Sequence, residues 1–487
     1  MEQCGVAFGT SGARGEVVAM TDRVCHSYTA GFLQYLGEVG EFAPGARVAL
    51  AGDLRASTPR ILAACAQAVR DLGGEPVFCG YVPTPALAFH AFAQGVPSLM
   101  VTGSHIPDDR NGIKFYRAHG EVLKDDELGM SRQVLTIDNA RFNDAGMLID
   151  PAPLPPVTDA ETAYVARYVD FFGPDALKGM TVGVYQHSAV GRDVLTRIVA
   201  ALGAKAVPLA RSDKFMPVDT EAIRPEDVAL AKDWAAQGRF DAIVSTDGDS
   251  DRPLLADHTG EWLRGDVLGV LCARAMGADV VVTPVSSNSV LELTGAFART
   301  ARTRIGSPYV IAAMNAEAAT GAACVCGYEA NGGFLLGSDV ARGGAALTAL
   351  PTRDAVLPIL AVLAASRPGT LADLVAALPP RVTYSDRIKG LPTAQSQALL
   401  AWLGAGGEAR VEECFAPLAG GALASVDHTD GLRMSFANGA VIHLRPSGNA
   451  PELRCYSEAS KPDEARRLAE GALALVRDEL ATRVSGG

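Results

Sequence analysis

Three short segments hold residues whose types and spacing could handle a phosphoryl group. The first, Thr102–Tyr116 (TGSHIPDDRNGIKFY), offers a hydroxyl at Ser104 between Gly103 and His105, with Lys114 further along. It follows the apolar run SLMV, so Ser104 falls where a strand gives way to a loop. In open α/β sheets, ligands gather at the carboxyl ends of strands. Glycine before the serine lets backbone or phosphate approach closely, while His105 and Lys114 could shift protons or hold anions. A serine hydroxyl needs activation before it attacks anything, and alone the segment reads as a polar turn.

The second segment is Asp247–Arg252 (DGDSDR), directly after the strand-like DAIVST. Three carboxylates at alternate positions repel one another unless a cation neutralises them. Hard oxygen donors favour Mg²⁺ or Ca²⁺ over zinc. An EF-hand is excluded, because its sixth position is Arg252 instead of glycine and its twelfth is His258 instead of glutamate. Two chemistries stay open on these residues: a phosphatase with Asp247 as nucleophile, or a transferase in which Ser104 carries the phosphate.

The third segment, His443–Tyr456 (HLRPSGNAPELRCY), places Arg445, Ser447, Gly448 and Asn449 in one tight loop, with Arg454 beyond it. A bidentate cation beside a run of amides suits a phosphate. Two weaker segments complete the set. GYEANGGF (Gly327–Phe334) offers Glu329 and Asn331 for sugar hydroxyls or, equally, a plain hairpin turn. FGTSGARG (Phe8–Gly15) puts Ser11 and Arg14 in a flexible loop. No Gly-Lys dipeptide exists, so there is no Walker loop, and nucleotide-driven kinase chemistry is disfavoured.

These residues need elements to hold them. ARVALAG (Ala46–Gly52) reads as a strand and RILAACAQAVRDLGG as a helix closed by glycine. EPVFCGY and SLMVTGS follow as short strands, giving a βαβ rhythm and a mostly parallel sheet under helices. The proline-rich stretch Leu148–Ala160 ends this unit. GMTVGVYQ and DAIVSTDGD begin a second, DVVVTPVSS and ACVCGYEA a third, which trails off near Ala377–Val382. Thereafter GLRMSFANGAVIHLRPS alternates around an Asn-Gly hairpin signal, and KPDEARRLAEGALALVRDEL reads as a final helix. The pattern predicts the α/β class: three similar α/β domains with mixed, mostly parallel sheets, spanning 1–150, 158–256 and 257–378. A smaller α+β C-terminal domain follows over 379–487.

Composition narrows the partners. The 487 residues are 48% hydrophobic and 20% charged, an ordinary globular balance. A net charge of −12 argues against nucleic acid, which favours a clustered basic face. The N-terminus lacks a signal peptide's basic start and apolar core. The longest apolar run, VLPILAVLAA from Val356, is too short to span a bilayer. No membrane partner is therefore expected. Nine scattered cysteines without export signals fit reduced thiols in a cytoplasm. Cys324 and Cys326 fall on one face of a strand and read as buried core thiols, since zinc would want a second pair.

Taken in order, the five segments resemble the α-D-phosphohexomutase family from Phe8 to about Tyr456. FGTSGARG is similar to the family's FGTSGxRG, and TGSHIPDDRNGIK to T-A-S-H-N-P-x-x-x-N-G-x-K. DGDSDR matches the DGDxDR metal loop, RPSGNAPELR the RPSGTEPxxR phosphate loop, and GYEANGGF occupies the place of the sugar loop G-E-x-S-G-H. The resemblance implies four domains around a central cleft and a monomer or homodimer. It implies an enzyme that interconverts hexose 6-phosphate and hexose 1-phosphate through phosphoserine at Ser104 and a hexose 1,6-bisphosphate. Phosphomannomutase or phosphoglucomutase activity comes first, with phosphoglucosamine mutase, or a sugar-phosphate phosphatase or bisphosphate synthase, as the alternatives.

By the same resemblance, Ser104, Lys114, His105 and Arg14 are catalytic. Mg²⁺ is held by Asp247, Asp249, Asp251 and an oxygen of the phosphate on Ser104. Arg252, Glu329, Asn331, Arg445, Ser447, Gly448, Asn449 and Arg454 bind the phosphosugar. Departures from the pattern cluster at the sugar. Asn331 and Gly333 stand in place of serine and histidine, Ser307 in place of a third-domain histidine, Ile106 of asparagine, and Asn449 of threonine.

Overall fold

The computed structural model describes residues 4–9, 11–367, 369–447 and 451–480. The chain forms two compact units, 1–282 with 306–375, and 283–305 with 376–487.

Three mixed sheets make up the first unit. The first uses Ala7–Phe8 (β1), Ala13–Glu16 (β2), Arg47–Gly52 (β3), Glu75–Phe78 (β4), Ser98–Val101 (β5) and Arg110–Arg117 (β6). Their order is β1-β2-β6-β5-β3-β4, with Gly120–Glu121 (β7) pairing β6. β3 runs parallel to β4 and β5, whereas β6 runs antiparallel to both its neighbours, β5 and β2. Parallel strands need long crossovers, and helices supply them. Thr58–Asp71 and Thr84–Gln94 both carry proline in the first turn, where its missing N–H costs nothing. Ile61, Leu62, Cys65, Ala66 and Val69 recur at helical spacing and are buried against β3 and its neighbours.

The second sheet joins Thr181–His187 (β8), Lys205–Arg211 (β9), Ala242–Thr246 (β10) and Pro253–Asp257 (β11) in the order β11-β10-β8-β9. Only the β10–β11 pairing is antiparallel. After Val280–Pro284 (β12) the chain passes through Arg299–Thr303 (β13), which belongs to the second unit. It returns as Val325–Tyr328 (β14), Phe334–Leu336 (β15), the hairpin Val340–Arg342 (β16) and Ala345–Leu347 (β17), and Leu350–Asp354 (β18). β12 and β14 are parallel, and β14, β15 and β18 antiparallel. The apolar run from Val356 is a buried helix, Val356–Ala365. Among the described residues no helix is long and apolar enough to cross a membrane. All nine cysteines are free thiols; the sulfurs of Cys324 and Cys326 lie 4.0 Å apart in the interior.

The second unit is built on an antiparallel sheet. Val382–Lys389 (β19), Leu423–Asp427 (β20), Leu432–Phe436 (β21), Val441–Pro446 (β22) and Glu452–Ala459 (β23) lie in the order β19-β23-β22-β21-β20. The Asn438-Gly439 turn joins β21 to β22, with Gly439 at a φ of 85°. Leu399, Phe415, Met434, Ile442, Leu453 and Leu468 form the core between this sheet and its helices. The final helix, Pro462–Leu475, contributes Leu468, Ala469 and Leu473 to it.

Candidate active site

Ser104 follows β5 and is fully buried. Its φ is +56°, a left-handed conformation that a residue with a Cβ adopts only when its surroundings impose it. The side chain of Thr102 accepts a hydrogen bond from the Ser104 N–H at 2.8 Å. The Ser104 hydroxyl then donates to Asp247 Oδ2 at 2.6 Å, bringing the loop after β5 onto the loop between β10 and β11. Gly248 makes this approach possible, since a Cβ there would sit 2.6 Å from the Ser104 carbonyl oxygen.

Asp247, Asp249 and Asp251 are all buried, and one oxygen from each lies within 4.8 Å of the others. Ser250, between the last two, has a φ of +60° and accepts from the Gly191 N–H, which turns the loop so that the carboxylates converge. Asp247 Oδ1 accepts from the backbone N–H groups of Asp251 and Arg252. Asp249 Oδ2 accepts from Lys114 and from Thr84, each at 2.6 Å. Asp251 Oδ2 accepts from Lys114 at 2.5 Å and from Arg353 at 3.0 Å. Oδ1 of Asp249 and Oδ1 of Asp251 are buried with no hydrogen-bond partner among the described residues. Buried oxygens left without donors are costly, and a hard dication is the partner this donor set suits.

The electrostatics point the same way. Burial, then repulsion from Asp249 and Asp251, pushes the Asp247 carboxyl well above the usual range. Burial also opposes charge on Asp249, but Lys114 outweighs it and holds that carboxyl low. Burial disfavours the Arg353 charge, while Asp251 and Glu329 more than compensate and raise its pKa. Desolvation, together with Arg252 and Arg353, lowers Arg14 to about 10. His105, half-buried, is pushed down to about 3 by desolvation and the neighbouring Arg252. Its Nδ1 lies 2.9 Å from Arg252 Nη1 and 3.4 Å from the Ser104 hydroxyl.

The first unit therefore brings Ser104, His105, Lys114, Asp247, Asp249, Asp251 and Arg252 together. Arg14 belongs to strand β2, not to the flexible loop read from the sequence. It pairs with Gly112 of β6, where a side chain would collide with the arginine. GYEANGGF is indeed a hairpin turn, between β14 and β15, and it still delivers Glu329. The Glu329 carboxylate accepts from Arg353 Nη1 at 3.1 Å. Asn331 spends its amide oxygen on the Gly333 N–H and its backbone carbonyl on Thr220. Sequence reasoning missed Arg353 and Thr84, because neither sits in a recognisable motif and both meet the carboxylates only through the fold.

In the second unit, strand register places Arg445 opposite Arg454 on β22 and β23. Arg387 on β19 is opposite Arg454 in turn, a third arginine in the same row that the sequence did not flag. Glu452, 3.4 Å from Arg387 and 3.8 Å from Arg454, offsets part of this charge, and a row of three guanidinium groups still suits an anion. Arg445 donates to Asp430 at 2.8 Å, and the buried Ser447 donates its N–H to the Glu452 carbonyl. Gly448 and Asn449 lie outside the described residues.

Comparison with known proteins accounts for this constellation. The phosphoglucomutase/phosphomannomutase alpha/beta/alpha domains I, II and III match residues 5–141, 162–260 and 264–382, and the C-terminal domain of that family matches 403–475. The chain is 45% identical to a phosphomannomutase from Sinorhizobium fredii, across 98% of this chain and 100% of the relative. It is 44% identical to one from Salmonella muenchen, across 99% and 97%. A phosphoglucosamine mutase from Heliobacterium modesticaldum is 28% identical, across 96% and 98%. The crystal structure of a phosphoglucomutase/phosphomannomutase family protein from Burkholderia thailandensis shares the fold, with a TM-score of 0.73 at 20% identity over 98% of each chain. The protein belongs to the phosphoglucomutase/phosphomannomutase family, the α-D-phosphohexomutases, and is an enzyme of the phosphotransferase mutase class.

Proposed function

We propose that the protein interconverts mannose 6-phosphate and mannose 1-phosphate, with glucose phosphates as second substrates, through phosphoserine at Ser104. The observation that carries the reading is the 2.6 Å contact between the Ser104 hydroxyl and Asp247, at the edge of a buried three-carboxylate cluster. Mannose is favoured over glucosamine because both phosphomannomutase relatives are far more similar to this chain than the phosphoglucosamine mutase is.

Asp247, Asp249 and Asp251, with an oxygen of the Ser104 phosphate, would hold Mg²⁺. The dication supplies charge neutralisation for the equatorial oxygens of the transferring group. In the transfer itself the bond from phosphorus to Ser104 Oγ breaks and a bond to a sugar hydroxyl oxygen forms. The hydroxyl's proton passes to a base, and the serine oxygen regains a proton. Lys114 and His105 are the candidate proton carriers. Arg14 and Arg252 would meet developing charge on the phosphate oxygens. Glu329, anchored by Arg353, would take sugar hydroxyls together with Asn331.

The resulting hexose 1,6-bisphosphate, also the activator, turns over and returns its other phosphate to Ser104. In the second unit Arg445, Ser447, Gly448, Asn449 and Arg454 would grip the phosphate that is not reacting. The proposed domains run 1–150, 158–256, 257–378 and 379–487, in a cytoplasmic monomer or homodimer. The test is kcat/KM for the mannose, glucose and glucosamine 1-phosphates, with released inorganic phosphate measured alongside. Mannose phosphate is expected to lead with little phosphate release. Preference for the glucosamine phosphate, or hydrolysis as the main activity, would overturn the reading.

A further inference from the structure

Arg55 is fully buried, and every one of its five N–H donors is committed. Nε donates to Asp53 Oδ2 at 3.0 Å. Nη1 donates to the carbonyls of Pro107 at 2.7 Å and Arg110 at 3.2 Å. Nη2 donates to the carbonyls of Ser104 at 2.9 Å and Ile106 at 2.7 Å. Three of the five acceptors, Ser104, Ile106 and Pro107, thus belong to the irregular stretch between β5 and β6, where no ladder supplies donors of its own, and a fourth, Arg110, opens β6. Asp53 is equally fixed, accepting from Thr58, Thr102 and the Arg55 N–H as well as from the guanidinium.

The guanidinium is also held face-on. The ring of Phe215 lies 3.9 Å from Arg55 Cζ. Phe215 reaches the metal loop too, since a Cβ on Gly248 would sit 3.1 Å from its ring. Gly103 also comes so close that a Cβ there would lie 2.6 Å from Arg55 Cζ. The guanidinium is therefore packed against the backbone just before Ser104 and against a ring close to the Asp247–Asp251 loop.

We infer that Arg55 is the positioning residue for phosphoryl transfer, holding Ser104 in its left-handed conformation with Oγ aimed at Asp247. The inference rests on Ser104 being the phosphate carrier. Glycine would adopt this φ freely, but the position needs a hydroxyl, so the conformation must be imposed from outside. A planar fork does this by gathering carbonyls from three loop residues and from Arg110 at the start of β6. A lysine ammonium keeps the charge beside Asp53 but presents three donors at one point, and cannot span them.

The experiment compares wild type with Arg55→Lys, Phe215→Leu and, as control, Arg60→Met. Arg60 lies on the same helix as Thr58, and its guanidinium donates instead to Asp22 and to the Met20 carbonyl. Each protein is assayed for kcat, KM, thermal midpoint and the single-turnover rate of phosphate transfer from a hexose 1,6-bisphosphate to Ser104. For Arg55→Lys, transfer and kcat are expected to fall about 100-fold with KM within about threefold, as a misplaced nucleophile requires. Arg60→Met is expected to lower the thermal midpoint while leaving transfer within about twofold of wild type. Phe215→Leu keeps every hydrogen bond of the guanidinium, so it decides the matter if Arg55→Lys does not fold. It is expected to slow transfer about fivefold at unchanged KM. Transfer in Arg55→Lys no slower than in Arg60→Met, or transfer in Phe215→Leu equal to wild type, overturns the inference. If wild type itself takes no phosphate on Ser104, it is the functional reading that fails.

Discussion

The ammonium of Lys114 lies 2.6 Å from Asp249 Oδ2 and serves Asp251 as well, so one cation answers two of three buried carboxylates. Their other oxygens accept no hydrogen bond among the described residues, although Arg252 Nε lies 3.7 Å from Asp251 Oδ1. Charge at the cluster is thus partly balanced without metal, and a dication would complete the balance.

Magnesium is accordingly expected to stabilise the protein as well as activate it. Ligand at a hundred times its dissociation constant contributes about 2.7 kcal/mol. Urea denaturation with Mg²⁺ and with chelator should show a gain of that order in wild type. Asp249→Asn should show little gain and no restored turnover. Equal stability of wild type under both conditions would contradict the assigned site.

Gly248→Ala should damage the enzyme at one methyl group. The new Cβ meets the Ser104 carbonyl oxygen, which is backbone and cannot swing aside. Overpacking of this kind costs about 1–3 kcal/mol, and a displaced nucleophile loses about 100-fold in rate. Thermal midpoint and kcat should fall together.

Arg353 joins Asp251 to Glu329 in the interior. Removing one partner of a buried ion pair leaves an uncompensated charge, at about 3–5 kcal/mol. Arg353→Met should lose stability of that size, and KM should rise because Glu329 loses its anchor. Equilibrium denaturation with substrate-saturation kinetics measures both.

His443 supplies a pH test in the second unit. It is buried with Nε2 2.6 Å from the Asp430 carbonyl, and burial lowers its pKa to about 4. The unfolded chain, at about 6.5, binds the proton first, so the contribution is present above that value and is lost as pH falls toward 4. The full swing is about 3 kcal/mol. The stability difference between wild type and His443→Gln should shrink by that amount between pH 7 and pH 4. A difference independent of pH would show that His443 does not titrate as described.

The chemistry was more legible in sequence than the geometry that holds it. Ser104 and the Asp247–Asp251 loop declare themselves because each follows an apolar strand and packs unusual groups into a few positions. The helices announced themselves by apolar spacing, as at Ile61, Cys65 and Val69. Arg14 reads as a loop residue in the sequence because the four-residue strand ARGE carries no strand signature. Arg353, Thr84 and Arg387 were invisible for a different reason. Their partners are distant in sequence, and only strand pairing and loop convergence bring them together.

In the proposed reaction phosphate travels through Ser104. Intact mass and peptide mapping of the protein, before and after incubation with mannose 1-phosphate, test that directly. A single phosphate on Ser104 that passes to the sugar, and its absence with loss of turnover in a folded Ser104→Ala variant, is the expected result. Phosphate on Asp247, or undiminished isomerisation by Ser104→Ala, would contradict it.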